Sequence, residues 1–266
     1  MVIKFNNVSY KDIFENINLE IGDNKIISLI GKNGSGKSMF LNLLYGIVTD
    51  FSGNININDE VINNKTKKKE IEKIRKDIFY LNQDYSSSLF NITIFEDIKY
   101  NISNVDLEKL QEYLKLLKLE KEILYKNYSE LSDGQIKKIL LIMMLISDNK
   151  IILLDDLTNG LDQKSISSII KLLKKEKRNN KIIIVSSQDS EFLLNISDSV
   201  IMIYDKKLIK LENKYDFFSD ENKLTKCGLH MPNVLLFREN VLQRKNIKLI
   251  YRDNINDLIK DIYRNA

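Results

Sequence analysis

The sequence predicts an α/β fold: a parallel sheet covered by helices, preceded by a group of strands, interrupted by an all-helical lobe and followed by a small C-terminal extension. Three observations predict it. Short apolar runs, Ile26–Ile30, Ile78–Leu81, Ile151–Leu154, Lys181–Val185 and Val200–Tyr204, read as buried strands. Helical-period stretches such as Ser165–Lys175 alternate with them. From about residue 86 to 148 the pattern is helical throughout, which sets that stretch apart as a lobe.

In chain order, residues 1–30 read as short strands, with Asn6-Asn7 and Gly22-Asp23-Asn24 as turns. Met1–Phe5 alternates like a strand and reads as no signal peptide. Met39–Leu44 reads as a helix, and Ser52–Asn58, with its period of two, as an exposed strand. Residues 67–76 read as a short charged helix before the strand Ile78–Leu81. Within the lobe, Leu107, Leu110, Leu114 and Leu117 fall on one helical face. Ile136–Ile146 is almost wholly apolar and reads as a buried helix. Residues 213–266 are more polar and break the alternation.

Composition narrows the function classes. The chain has 266 residues with 43% hydrophobic and 29% charged content, enough for one good-sized core and an appendage. No run approaches the roughly 18 apolar residues of a membrane span. One cysteine, Cys227, excludes an internal disulfide framework and reads as a buried residue. With one histidine, His230, a His-based metal site or triad is not expected, and His230 reads as a packing or surface residue. A net charge of +4 is too small to argue for nucleic acid, and the basic runs Lys65–Lys69 and Lys171–Arg178 read as solvated faces.

The segment Gly31-Lys32-Asn33-Gly34-Ser35-Gly36-Lys37-Ser38 fits the P-loop pattern G-x-x-x-x-G-K-[ST] at every fixed position. It lies between a strand and a helix, the context that motif requires. Its glycines let successive backbone N–H groups turn toward one anion, and the helix N-terminus adds partial positive charge. Asn33, Gly34, Ser35, Gly36, Lys37, Ser38 and Met39 are the candidate nucleotide-binding residues. Lys37 is placed to reach the β- and γ-phosphates and Ser38 to ligate Mg²⁺. Downstream, Ile151–Leu154 ends in Asp155-Asp156. In P-loop enzymes the first acid of such a strand sits on the Mg²⁺ side and the next can orient the attacking water. Asp155 is thus the metal-side candidate and Asp156 the candidate base.

Further segments follow in a fixed order: Gln83 after a strand, Leu131-Ser132-Asp133-Gly134-Gln135, then Asn159-Gly160-Leu161-Asp162, then Ser186-Ser187-Gln188-Asp189. Together with the P-loop they resemble the ABC transporter ATPases, whose Q-loop, L-S-G-G-Q signature, D-loop and switch histidine fall at these positions. The segment Ser87–Ile98 and the elements Tyr215-Asp216-Phe217-Phe218 and Gly228-Leu229-His230-Met231-Pro232 are similar to the ATPase components of energy-coupling-factor (ECF) transporters of vitamins and metal ions. The resemblance implies a P-loop NTPase fold of ABC type over residues 1–212: RecA-like core, N-terminal β-subdomain and helical subdomain. It implies a dimerising extension over 213–266. It further implies ATP and Mg²⁺ as ligands, with Ser38, Gln83 and Asp155 on the metal side and Gln83, Asp156 and Gln188 as catalytic candidates. Ser132, Asp133, Gly134 and Gln135 would face ATP held by a second ABC ATPase subunit, with Asp162 as the D-loop acid. A transmembrane coupling subunit and a substrate-binding membrane protein would complete the assembly, with this chain peripheral on the cytoplasmic membrane face. Tyr10, just after the first strand, is the candidate for stacking on adenine.

The sequence departs from that family pattern at particular residues. Asp156 stands where glutamate is usual and is shorter by roughly 1.5 Å of carbon reach. Gln188 replaces the switch histidine; it can hydrogen-bond a phosphate but carries no proton's charge near neutrality. Asp133 replaces the first signature glycine and puts a carboxylate near the partner's triphosphate. Met39 replaces a hydroxyl after the P-loop lysine. These changes point to a chain that binds ATP, hydrolyses it slowly and pairs with an intact second subunit. A working homodimer, the ATPase of another ABC transporter, and a non-hydrolysing scaffold are the alternatives.

Overall fold

A computed structural model describes residues 1–22, 24–83, 93–102, 104–245 and 249–265. The chain opens with three strands, β1 (Val2–Tyr10), β2 (Phe14–Gly22) and β3 (Lys25–Ile30), then α1 (Lys37–Leu44). Strands β4 (Ser52–Ile57) and β5 (Glu60–Ile62), helix α2 (Lys68–Arg75) and β6 (Ile78–Leu81) follow. The lobe holds α3 (Ile94–Asn101), α4 (Leu107–Leu116), two 3-10 turns and α5 (Asp133–Ile146). Then come β7 (Ile151–Leu154), α6 (Gln163–Lys177), β8 (Ile182–Ser186), α7 (Ser190–Ile196), β9 (Ser199–Tyr204) and β10 (Lys207–Leu211). Four helices close the chain: α8 (Tyr215–Phe218), α9 (Glu221–Cys227), α10 (Asn233–Lys245) and α11 (Ile255–Asn265).

Among the described residues the strands form two sheets. One is antiparallel, ordered β2-β1-β4-β5; the other is ordered β10-β9-β3-β8-β7-β6, parallel except where β10 turns back on β9. The central strands of the second sheet, β3, β7, β8 and β9, are largely apolar on both faces because both faces are covered. Their period of two sorts the side chains into two cores. Ile27, Leu29, Ile151, Leu153, Ile182 and Ile184 pack toward α1 and the antiparallel sheet. Ile26, Ile30, Ile152, Leu154, Ile183 and Val185 pack toward the lobe, α7 and the closing helices.

Several expectations are refined. The strand Ser52–Ile57 is not exposed: it lies between β1 and β5, and its alternation buries Ile55 and Ile57. In α4, Leu110 and Leu114 are buried and so is Leu117 just beyond it, but Leu107 is exposed at the first turn, where the helix points away from the core. Strands β5 and β10 lie outside the expected set, being short or mixed with lysines. Among the described residues of 213–266, Phe217, Phe218, Leu224, Cys227, Val234 and Leu258 join the core under the parallel sheet. Of the Ser87–Ile98 segment, residues 87–92 lie outside the described residues; the remainder opens α3, capped by Thr93, whose hydroxyl accepts from the Glu96 N–H.

The register brings the strand ends together. Leu81 pairs with Leu154, Leu154 with Val185, and Leu29 with Ser186. Every loop that leaves a carboxyl end of β3, β6, β7 or β8 therefore opens on the same edge, where ligands bind in open α/β sheets.

Candidate functional site

The loop between β3 and α1 curls around its own lysine. Lys37 Nζ donates to the carbonyls of Gly31 and Lys32 at 2.8 and 3.0 Å. Burial lowers the Lys37 pKa, and the facing Asp155 and Asp156 oppose that shift. Gly36 caps α1 with φ of 103°, and a Cβ there would meet Ile13 Cγ2 at 2.7 Å. Only glycine serves at that position, because the backbone is left-handed and a neighbour fills the space.

Opposite the loop, β7 delivers Asp155, buried at 4% exposure. Its Oδ1 accepts from Ser186 Oγ at 2.5 Å, while its buried Oδ2 has no partner. Ser186 Oγ in turn accepts the Asp156 N–H at 2.9 Å. Asp156 sits at φ of 50°, a left-handed conformation that costs a non-glycine residue on the order of 1–2 kcal/mol. Its carbonyl accepts from Lys137 Nζ at 3.0 Å. Thr158 Oγ1 and Ser187 Oγ lie 2.5 Å apart, and Gln188 Nε2 donates to Asn33 Oδ1 at 2.9 Å. Gln188 is therefore held against the P-loop of its own chain.

Several of these groups line one cavity of about 260 Å³. It brings together Asn33, Gly34, Gly36, Lys37, Ser38 and Met39 from the P-loop, Gln83 from the end of β6, and Asp155, Asp156 and Gln188. Ser35 stays out of the lining; its hydroxyl is buried without a partner. Ser186 and Ser187 also line the cavity. Sequence reasoning missed them, although two hydroxyls directly before Gln188 at a strand end were the available signal.

Tyr10 is a correction. It is 4% exposed, packed in the core between the two sheets, with Lys11 Nζ 4.9 Å from its ring centroid. Most of the ring is packed into the core, and Tyr10 does not line the cavity.

The signature segment lies elsewhere. Ser132 caps α5 in a reciprocal box, accepting from the Gln135 N–H while its own N–H donates to Gln135 Oε1 at 2.9 Å. Ser132 and Asp133 are exposed, and none of Ser132, Asp133, Gly134 or Gln135 lines the cavity. Asp162 caps α6 by accepting from the Ser165 N–H at 2.8 Å, which lowers its pKa, and lies 3.8 Å from Lys138. A Cβ on Gly134 would stand 2.7 Å from the Gly160 carbonyl, so the signature and the D-loop segment are packed backbone to backbone.

Among the described residues no cluster of three or more His, Cys, Asp or Glu side chains offers a metal site by itself. The donor set instead suits Mg²⁺ held mainly by nucleotide and water oxygens: an exposed Ser38 hydroxyl, Gln83, and the unpartnered Asp155 Oδ2 at one cavity.

A doubly covered parallel sheet, a P-loop, a strand-end acid pair and a signature segment exposed at the N-terminus of a buried helix define an ATP-binding cassette. A family model described as "ABC transporter" matches residues 14–159. A second, described as "AAA domain, putative AbiEii toxin, Type IV TA system", matches residues 125–195, a part that leaves out the P-loop. The energy-coupling factor transporter ATP-binding protein EcfA2 of Mycoplasma capricolum is 31% identical over 270 residues, 94% of this chain and 92% of that protein. EcfA2 of Staphylococcus epidermidis is 28% identical over 93% of this chain and 92% of its own length. An ATP-binding cassette solved as a dimer in a post-hydrolysis state with ADP and Pi superposes with a TM-score of 0.68 at 26% identity, covering 79% of this chain and 98% of that one. The chain belongs to the ABC transporter family and, within it, to the energy-coupling factor transporter ATP-binding proteins.

Proposed function

We propose that this chain is the ATP-binding and ATP-hydrolysing subunit of an ECF-type importer of vitamins or metal ions, and the weaker partner in a heterodimer of ATPases. The observation that carries the reading is the cavity at the strand ends where Lys37, Ser38, Gln83, Asp155, Asp156 and Gln188 meet. In it, the P-loop N–H groups and Lys37 bind the triphosphate. Ser38, Gln83 and Asp155 hold Mg²⁺, which supplies charge neutralisation on the phosphates. Asp156 orients water, and Gln188 reports the γ-phosphate after leaving Asn33. Ser132, Asp133, Gly134 and Gln135 present α5's N-terminus to nucleotide on the second subunit, and Asp162 lies beside that interface.

The slow-hydrolysis part rests on Asp156, Gln188 and Met39 in the chain's own cavity and on Asp133 at the facing one. A misplaced base forfeits much of a contribution of about 10²–10⁴-fold. Residues 213–266 supply dimer contacts. A groove of about 570 Å³ between β6 and the lobe, lined by Arg75, Phe79, Tyr80, Asn101 and Met143, suits a helix from a transmembrane coupling subunit. Membership among the ECF ATP-binding proteins supports a peripheral place on the cytoplasmic membrane face; no helix among the described residues is long and apolar enough to cross a membrane.

The test is ATP turnover of the chain alone and mixed with a second ECF ATPase subunit, with ATP binding measured in parallel. Binding without turnover alone, and turnover in the mixture, is the expected outcome. Brisk turnover alone, lost in Lys37→Ala, would remove the asymmetric assignment. A non-hydrolysing scaffold is the second reading, favoured by the Gln188–Asn33 bond; no turnover in either preparation despite tight ATP binding would select it.

A further inference from the structure

The signature helix reaches behind the candidate base. Lys137, in the second turn of α5, is 7% exposed. Its ammonium donates to two backbone carbonyls, Asp156 O at 3.0 Å and Asn159 O at 2.6 Å. A buried cation is costly unless hydrogen-bonded, and both acceptors belong to the loop that leaves β7. That loop runs from the left-handed Asp156 to Gly160, whose carbonyl lies against Gly134. The Asp156 peptides are thus gripped from both sides: Ser186 Oγ takes the N–H and Lys137 takes the C=O. On the side chain itself, Asn159 Nδ2 lies 3.4 Å from Asp156 Oδ2.

We propose that Lys137 is a positioning residue for hydrolysis: by holding the Asp156 and Asn159 carbonyls, it fixes the left-handed backbone from which the Asp156 carboxylate faces the nucleotide cavity. The inference rests on the reading of Asp156 as the group that orients water. Desolvation lowers the Lys137 pKa while the Asp156 and Asp133 carboxylates raise it, as expected for an ammonium set between them. Because Lys137 belongs to the helix whose N-terminus serves the partner's nucleotide, it joins one site's signature to the other site's base by a direct contact.

The experiment uses the full chain paired with a second ATPase subunit whose own catalytic carboxylate is replaced, so that turnover reports this chain's site. Lys137→Met, Lys137→Arg, Asp156→Asn and the double variant Lys137→Met/Asp156→Asn are compared for kcat, KM and ATP affinity, with thermal melting as a check on folding. Lys137→Met is expected to lower kcat at least tenfold with KM and ATP affinity within twofold, and Lys137→Arg to restore most of it. The double variant is expected to be no slower than Asp156→Asn alone, since a positioning residue has nothing left to position. A full kcat in Lys137→Met beside a crippled Asp156→Asn overturns the Lys137 role and leaves the base assignment intact. Multiplicative losses in the double variant do the same. Full activity in Asp156→Asn overturns both readings. Should Lys137→Met fail to fold, Lys137→Ala, which also lacks a donor, takes its place under the same criteria.

Discussion

Asp156 combines a short side chain with a left-handed backbone, and the two features pull against each other. The backbone at φ of 50° aims the residue differently from an extended one, while the missing methylene withdraws the carboxylate. Lengthening the side chain without touching the backbone is the direct test. Asp156→Glu is expected to raise turnover at this chain's own site about tenfold, a fraction of what a well-placed base contributes. Single-turnover kinetics with the partner site disabled would measure it, and an unchanged or lower rate would locate the defect at Gln188 or Met39. Tyr10 makes the opposite point. Its aromatic character suggested a base platform, but the ring fills the space between the sheets. Tyr10→Ala is expected to cost about 3–5 kcal/mol of stability, as for other buried aromatics, while leaving the ATP-to-GTP affinity ratio within twofold. Denaturant unfolding and competitive nucleotide titration check the two halves of that statement. Cys227 is inert by the same logic: burial pushes its thiol up to about 11.

At the scale of elements, the edge of the parallel sheet is secured by charge. Glu212, just past β10, accepts from Lys25 Nζ at 2.5 Å and pairs with Lys210 Nζ at 2.6 Å. These two ammonium groups, Lys210 first, hold its carboxyl at about 2, below the ordinary 4.5. Because the folded-state pKa is the lower one, the stabilisation is fully present above about pH 4.5 and is lost as pH falls toward 2. Its size is small, since Glu212 is 61% exposed and screened by solvent; about 0–1 kcal/mol is typical of such pairs. Glu212→Gln is therefore expected to lower the melting temperature slightly at pH 7, with the gap to the wild type closing between pH 4.5 and 2. A gap independent of pH would assign the effect to packing. The elements with strong periodicity, α5, α6 and the central strands, were legible in the sequence because their burial is two-sided or one-faced and regular. Strands β5 and β10 were not, because a short edge strand needs little apolar content and draws its hydrogen bonds from a neighbour distant in sequence.

On the scale of the whole molecule, the C-terminal helices are part of the main core. Phe217 and Phe218 are fully buried with their rings 5.2 Å apart, and they sit in the same cluster as Ile152, Val185 and Val200. Gly228, at the end of α9, would carry a Cβ 3.8 Å from Lys32 Cγ, so the closing helices reach the back of the P-loop. Phe217→Ala is expected to destabilise the protein by about 3–5 kcal/mol while unfolding stays a single transition. Calorimetry showing two transitions, only one of them shifted, would mean that residues 213–266 melt as a separate unit.

The sequence by itself determined the parallel α/β class, the helical lobe, the P-loop between its strand and helix, the acids at the end of β7, and the family. Those features are local: a glycine spacing, a strand-length apolar run or a helical period is written in consecutive residues. Only the tertiary structure decided that Ser186 joins Asp155 to the Asp156 backbone, that Lys137 grips the same loop from behind, that Gln188 rests on Asn33, and that Tyr10 is core. Each of these contacts links residues that are distant in the chain, or depends on which of two faces a strand buries. Such contacts are fixed when the sheets close on one another, and no spacing along the chain records them.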